Sequence, residues 1–153
     1  MTPEPQPLSD IYEHLHTIRA DEIDALGHAN NLSYLRWMLS AAVAHSASLG
    51  LTAETYRQMG SGFVVRRHEI DYLRPAFEGE SLVIRTWVAS MRKATSLRRY
   101  EMFRLEPGRE VKLAVAATDW AFVDYTKGMP RRIPEEIVQI YTRKADRPSL
   151  PKQ

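Results

Sequence analysis

The stretch from Asn31 to Leu49, NLSYLRWMLSAAVAHSASL, decides the fold. It contains neither Gly nor Pro, places Leu32, Leu35, Leu39 and Ala42 at helical spacing, and ends at Gly50, a residue suited to stopping a helix. Trp37, Met38, Ala41, Val43 and Ala44 spread apolar surface around most of the circumference, so this long helix is expected to be buried on several sides, with something wrapped around it. Downstream, after a short polar piece from Thr52 to Gly60, four strand-like runs follow: Phe63 to Leu73, Ser81 to Arg92, Thr95 to Leu105 and Glu110 to Asp124. Glu78-Gly79-Glu80 and Glu106-Pro107-Gly108 are reversal signals, and the connections are too short for parallel crossovers, so the sheet is expected to be antiparallel. Upstream, Tyr12 to Arg19 reads as a first strand, and Arg132-Ile133-Pro134-Glu135-Glu136 as a helix start with acids in its first turn. The expectation is an α+β domain in which a curved antiparallel β-sheet wraps one long central α-helix, with a flexible lead over 1–11, a single domain over 12–142 and a frayed tail over 143–153.

The composition narrows the function classes. A chain of 153 residues has room for one core, and its 44% hydrophobic and 26% charged residues place it among globular domains. The absence of Cys excludes disulfides, a thiolate nucleophile and any cysteine-built metal site. No apolar run approaches the roughly 20 residues of a membrane span, and the start MTPEPQPLSD is polar, so a cytoplasmic protein is expected. The 21 basic and 19 acidic side chains give a net charge of +2, too small to argue for nucleic acid. Arg85, Arg92, Lys93, Arg98, Arg99 and Arg104 concentrate positive charge in the second half, which suits either a phosphate-bearing ligand or a solvated sheet face. His14 and His16 share one strand face, yet no spacing supplies further ligands, so no metal site is expected.

The densest group of functional side chains is Asp21-Glu22-Ile23-Asp24-Ala25-Leu26-Gly27-His28-Ala29-Asn30-Asn31, directly before the long helix. Unpaired N–H groups and the positive end of the helix dipole stabilise a negatively charged oxygen at such a position. A carboxylate here has two readings. It stands beside an oxyanion site, or the segment is an ordinary capping loop with Asn30 or Asn31 as N-cap and Gly27 at a turn of positive φ. His68 and Asp71 fall on alternating faces of a strand and make no catalytic pair. His45 reads as a packed helix residue, and Tyr72, Trp87 and Trp120 as core or interface aromatics.

Asp24 to Asn31 followed by Tyr34 resembles the D-x-x-G-H-x-N-N-x-x-Y motif of the hotdog-fold acyl-CoA thioesterases of the 4-hydroxybenzoyl-CoA thioesterase type. The likeness continues through Ile70 to Ala76, Gly79 to Leu82, Trp120 to Asp124 and Arg132 to Pro134, in the family's order. The resemblance implies a hotdog fold that hydrolyses an acyl-CoA, with Asp24 as catalytic carboxylate and the Asn31 backbone N–H polarising the thioester carbonyl. Gly27, His28, Asn30 and Tyr34 would shape the substrate site, and Arg92 and Lys93 at a strand turn would meet the coenzyme A phosphates. It also implies a homodimer or dimer of dimers with the site between subunits, and no cofactor. The helix holds no acid, which removes the related version that uses a helix glutamate, and there is no G-x-S-x-G serine elbow. The competing readings are a hotdog hydratase or dehydratase, a non-catalytic acyl-thioester-binding protein and, from the arginines, a nucleic-acid-binding module.

Overall fold

The computed structural model describes residues 6–143. Strand β1 (Tyr12–Thr17) leads through a 3-10 turn (Ala20–Glu22) to helix α1 (Asn31–Ser48), and a short helix α2 (Ala53–Met59) follows. Strands β2 (Ser61–Tyr72), β3 (Ser81–Met91), β4 (Thr95–Glu106) and β5 (Arg109–Asp124) come next, then helix α3 (Glu135–Thr142). The strands form one antiparallel sheet in the order β1-β3-β4-β5-β2, leaving β1 and β2 at its edges. Register runs from Tyr12 opposite Thr86 to Ser61 opposite Asp124, with irregularities at Val65/Arg67, Val88/Ser90 and Met102/Phe103 that increase local twist.

Helix α1 lies on one face of this sheet. Its buried residues, Ser33, Tyr34, Trp37, Met38, Ala41, Ala42 and His45, form one stripe. Under them lie Leu82, Ile84, Tyr100, Met102, Leu113 and Ala114. Each large apolar side chain so enclosed contributes about 1.5–3 kcal/mol relative to its exposed state. The expectation of a helix buried on several sides is corrected here for the single chain. Leu32 and Val43 are 65% and 66% exposed, and Leu35 and Leu39 are half-buried. The physical reason is that the sheet covers only the face carrying Tyr34, Trp37 and Met38, whereas the apolar residues around the rest of the helix do not report which side meets a neighbour.

The piece from Thr52 to Gly60, read only as polar, is helix α2. Thr52 Oγ1 accepts the Thr55 N–H at 3.2 Å, and Gly60 stops the helix at φ 74°, a conformation that costs any residue with a Cβ. Part of the stretch 1–11 is docked: Leu8 and Ser9 N–H donate to Val88 O, and the Val88 N–H donates back to the buried Ser9 Oγ at 2.8 Å. The tail over 143–153 lies, apart from Arg143, outside the described residues. No helix among the described residues is long and apolar enough to cross a membrane, and those residues contain no group of three or more His, Asp or Glu placed to hold a metal ion.

Candidate active site

The segment before α1 folds into a closed loop. Ile23 and Ala29 form an antiparallel bridge, the Asp24 N–H donates to His28 O at 2.8 Å, and the Gly27 N–H donates to Asp24 O at 3.0 Å. Gly27 takes φ 89°, which lets the five residues between the bridge partners reverse direction. Asp24 Oδ1 accepts the Leu26 N–H at 2.9 Å and, more weakly, the His28 N–H at 3.4 Å. Its Oδ2 accepts no hydrogen bond among the described residues and faces solvent with the rest of the exposed loop. The His28 ring meets Phe77 edge-on at 5.1 Å.

Asn30 is the helix N-cap: its Oδ1 accepts the Ser33 N–H at 2.8 Å. Asn31 is therefore the first helical residue, and its N–H has no acceptor among the described residues, as helix geometry requires of that position. The capping reading of the segment is realised in Asn30 and Gly27, and Asn31 carries an open donor.

Beneath the loop stands Glu22, a residue that sequence reasoning did not single out. It is 6% exposed. Its Oε1 lies 2.8 Å from His16 Nε2 and accepts the Arg19 N–H at 2.9 Å, while Oε2 accepts Trp37 Nε1–H at 2.8 Å. Its carbonyl accepts the Asn30 N–H at 3.0 Å and the Ser33 hydroxyl at 3.0 Å. Burial alone would push this carboxyl upward, but the hydrogen bonds from Arg19, His16 and Trp37 outweigh it and leave the group below its ordinary value. Glu22 stays ionised and joins β1, the loop and α1 at one point.

Tyr34, for which a substrate contact is expected, stands on the first turn of α1. It is buried, its hydroxyl donates to Arg74 O at 3.0 Å, and its ring packs on Trp37 and Tyr72. It thereby ties the first turn of α1 to the segment that follows β2. Tyr72 reaches the same corner from the edge strand and donates to Asn31 O at 3.3 Å.

Arg92 and Lys93 do not meet Asp24 in one chain. The loop sits at the Ser81 end of β3, where Ala29 N–H donates to Ala76 O, and the two basic residues follow Met91 at the other end. An 11-residue strand separates them, roughly 30 Å. Arg92 lines an open groove of about 540 Å³ with Arg66, Arg67 and Asp119, whereas Lys93 lies outside it and its carbonyl accepts the Ile133 N–H. The adjacent arginines 66 and 67 were the sequence signal for this groove. Other arginines of the basic second half are committed elsewhere: Arg85 pairs with Glu13 and Glu110, and Arg104 with Glu106.

Comparison with known proteins bears on the family and the fold. The sequence profile of the thioesterase-like superfamily matches residues 18–140. No curated protein matches the chain. Among solved structures, a Lactobacillus plantarum protein assigned as an oleoyl thioesterase superposes with a TM-score of 0.81 at 24% identity, covering 94% of this chain and 55% of its own. This chain thus spans about half the length of that protein. A 1,4-dihydroxy-2-naphthoyl-CoA thioesterase from Synechocystis superposes at 0.79 with 16% identity, covering 86% of this chain and 96% of its own. The DHNA-CoA thioesterase of Staphylococcus aureus superposes at 0.78 with 20% identity, covering 86% and 89%. At these identities the structural likeness speaks to the fold, which is the hotdog arrangement, and the profile match speaks to the family.

Proposed function

We propose that this chain, a member of the thioesterase-like superfamily, is a thioester hydrolase whose substrates are acyl-CoA thioesters, cleaved to a carboxylic acid and free coenzyme A. The observation that carries this reading is that the loop leaves one Asp24 carboxylate oxygen open and delivers the chain into α1 with the Asn31 N–H unmatched. A thioester carbonyl oxygen on that N–H gains negative charge as the carbonyl carbon becomes tetrahedral, and the helix terminus stabilises it. Asp24 acts as general base, taking a proton from the water that attacks, or as nucleophile, forming an anhydride that water then opens. In either route the C–S bond breaks and the sulfur leaves with a proton that water supplied. No cofactor enters the balance.

The site is completed between two chains. Strand β2 is an open edge with Val64, Val65 and Tyr72 half-exposed, and a second copy pairing antiparallel along it removes that hazard. Antiparallel pairing brings the Tyr72 end of one β2 beside the Ser61 end of the other. The partner's Asp24 loop then comes to the end of the sheet that carries Arg66, Arg67, Arg92 and Lys93, so that the nucleotide phosphates meet arginines of one chain while the thioester meets Asp24 of the other. In this reading the doubled sheet curls around the central helices.

Asp24→Asn tests it. Asn accepts the same Leu26 N–H but has neither charge nor basicity, so kcat on the best acyl-CoA of a panel of aromatic, short-chain and long-chain thioesters falls by about 10²–10⁴-fold. Folding, checked by circular dichroism, is retained. A variant that keeps more than about a tenth of wild-type kcat sinks the assignment and favours a loop that only binds the thioester.

A further inference from the structure

A second cavity of about 240 Å³ lies between the C-terminal half of α1, helices α2 and α3, and the sheet, with Val43, Ala53 and Tyr125 exposed at its rim. Ser46 on its wall is 15 residues beyond Asn31 along α1, so within one chain the cavity stands roughly 22 Å from the open helix N-terminus. Its body is apolar, formed by Leu51, Phe63, Val88 and Met91. Against this lining stands Arg98, only 5% exposed. Nη1 is held by His45 Nδ1 at 2.9 Å and Thr86 Oγ1 at 3.0 Å, and neither brings a negative charge. Burial first, and Arg98 second, press the His45 imidazole down to about 4, so it is neutral in physiological conditions and accepts from the guanidinium.

No carboxylate pairs with Arg98 among the described residues: the hydrogen bonds seen there are those at Nη1, and the guanidinium carbon lies 5.9 Å from the centre of the Tyr141 ring, which carries no net charge. A guanidinium keeps its charge at every accessible pH, and buried charges are as a rule paired. A second orphan lies on the same wall. Tyr56 Oη is buried next to Ser46 and Tyr141, close enough to interact with both but with neither in full hydrogen-bond geometry; Tyr141 donates to Ser46 Oγ at 3.2 Å and Ser46 to Leu51 O at 2.7 Å. An apolar cavity with a few convergent donors is the usual form of a small-molecule site. These donors, one cationic and one hydroxyl, match a carboxylate.

We propose that this cavity binds the carboxylate end of a compact, ring-sized apolar acid, its oxygens meeting the Arg98 guanidinium and the Tyr56 hydroxyl. A cavity of roughly 150 Å³ takes benzene, so this one admits a ring with a short substituent. The carboxylate has two possible sources: a free acid, or the far end of an acyl group whose thioester lies at the partner's Asp24. The second source rests on the two-chain reading above, and the first does not.

Calorimetric titration of the full chain with benzoate and phenylacetate, against benzamide and phenylacetamide, tests the site without requiring hydrolysis. The expected result is one acid per chain, with each amide at least about tenfold weaker. Arg98→Met, which replaces the guanidinium by an apolar side chain, abolishes the difference between acid and amide. Where that variant does not fold, Tyr56→Phe decides. It removes a hydroxyl that has no partner in full hydrogen-bond geometry within the chain and is expected to weaken the acid about three- to tenfold while leaving the amide unchanged. Comparing kcat/KM for glutaryl-CoA and pentanoyl-CoA then separates the sources. A preference for the carboxylate-ended acyl group that Tyr56→Phe erases assigns the substrate's tail, and acid binding with no such preference assigns a free acid. The proposal is overturned if acid and amide bind alike, if neither acid binds and no preference exists, or if the deciding variant behaves as wild type.

Discussion

Replacing Glu22 by Gln keeps the shape of the side chain and removes the one charge on which the loop base is built. Its two oxygens accept from three donors facing them from different elements, Arg19 N–H and His16 Nε2 on one and Trp37 Nε1–H on the other. An amide has a single acceptor oxygen, so either orientation fails. With the oxygen toward Arg19 and His16, the NH₂ group confronts Trp37 Nε1–H. Turned round, it satisfies Trp37 and can donate to a suitable His16 tautomer, but it leaves Arg19 N–H without an acceptor. One buried donor left unmet costs about 1–3 kcal/mol, and the bonds that remain lose the strengthening that a carboxylate gives. The expected loss is about 2–3 kcal/mol, or roughly 4–12 °C in Tm for a chain of this size. The pH dependence supplies a second reading. Because the folded state holds Glu22 below its ordinary value of 4.5, its contribution is present above that value and disappears as pH falls through the folded one. Thermal unfolding followed by circular dichroism at neutral pH, and again below pH 4, measures both. A Tm within about 1 °C of the parent at neutral pH, or a deficit that persists unchanged in acid, refutes the assignment of Glu22 as the ionised anchor.

Two further outcomes are expected. Replacing Arg92 and Lys93 by Ala raises KM for acyl-CoA and leaves turnover of a truncated pantetheine thioester nearly unchanged, because phosphate contacts act equally on ground and transition states. Mixing these chains with Asp24→Asn chains then restores low-KM activity that neither has alone, and a failure to complement places the two groups outside any shared site. His45 faces Tyr12 of β1, Arg98 of β4 and Tyr141 of α3, and its folded-state value is about 4 against an ordinary 6.5. The unfolded chain therefore takes up a proton first as pH falls, so stability declines from about pH 6.5 towards 4 by up to about 3 kcal/mol, and His45→Gln flattens that window in urea titrations.

Much of this molecule was legible because its elements are punctuated locally. Gly79 and Gly108 take positive φ at the reversals between strands, which is why the strand limits read from Glu78-Gly79-Glu80 and Glu106-Pro107-Gly108 lie within a residue or two of β3, β4 and β5. The cap at Asn30 and the turn at Gly27 were readable for the same reason. What escaped depends on residues distant in sequence. Glu22 owes its role to Trp37, 15 positions away, and Tyr34 spends its hydroxyl on Arg74, 40 positions away. The Arg98–His45 pair spans 53 positions, so nothing around either residue announced it. The buried face of α1 was misjudged because a run of Ala and Leu on all sides of a helix carries no directional information, and only the sheet beneath it chooses between Leu32 and Tyr34.

The loop that carries Asp24 closes on itself through the Ile23 and Ala29 bridge and is bolted from below by Glu22, while its tip at Ala25 and Leu26 touches little of the rest of the chain. It is in effect a cassette. On the proposed acyl-CoA site, changes at the tip alter what an incoming acyl group encounters without disturbing the sheet, and changes at the base unsettle the helix start and the loop together. Selection can therefore vary Ala25 and Leu26 almost free of any penalty in foldability, whereas drift at Glu22 is visible to it at once.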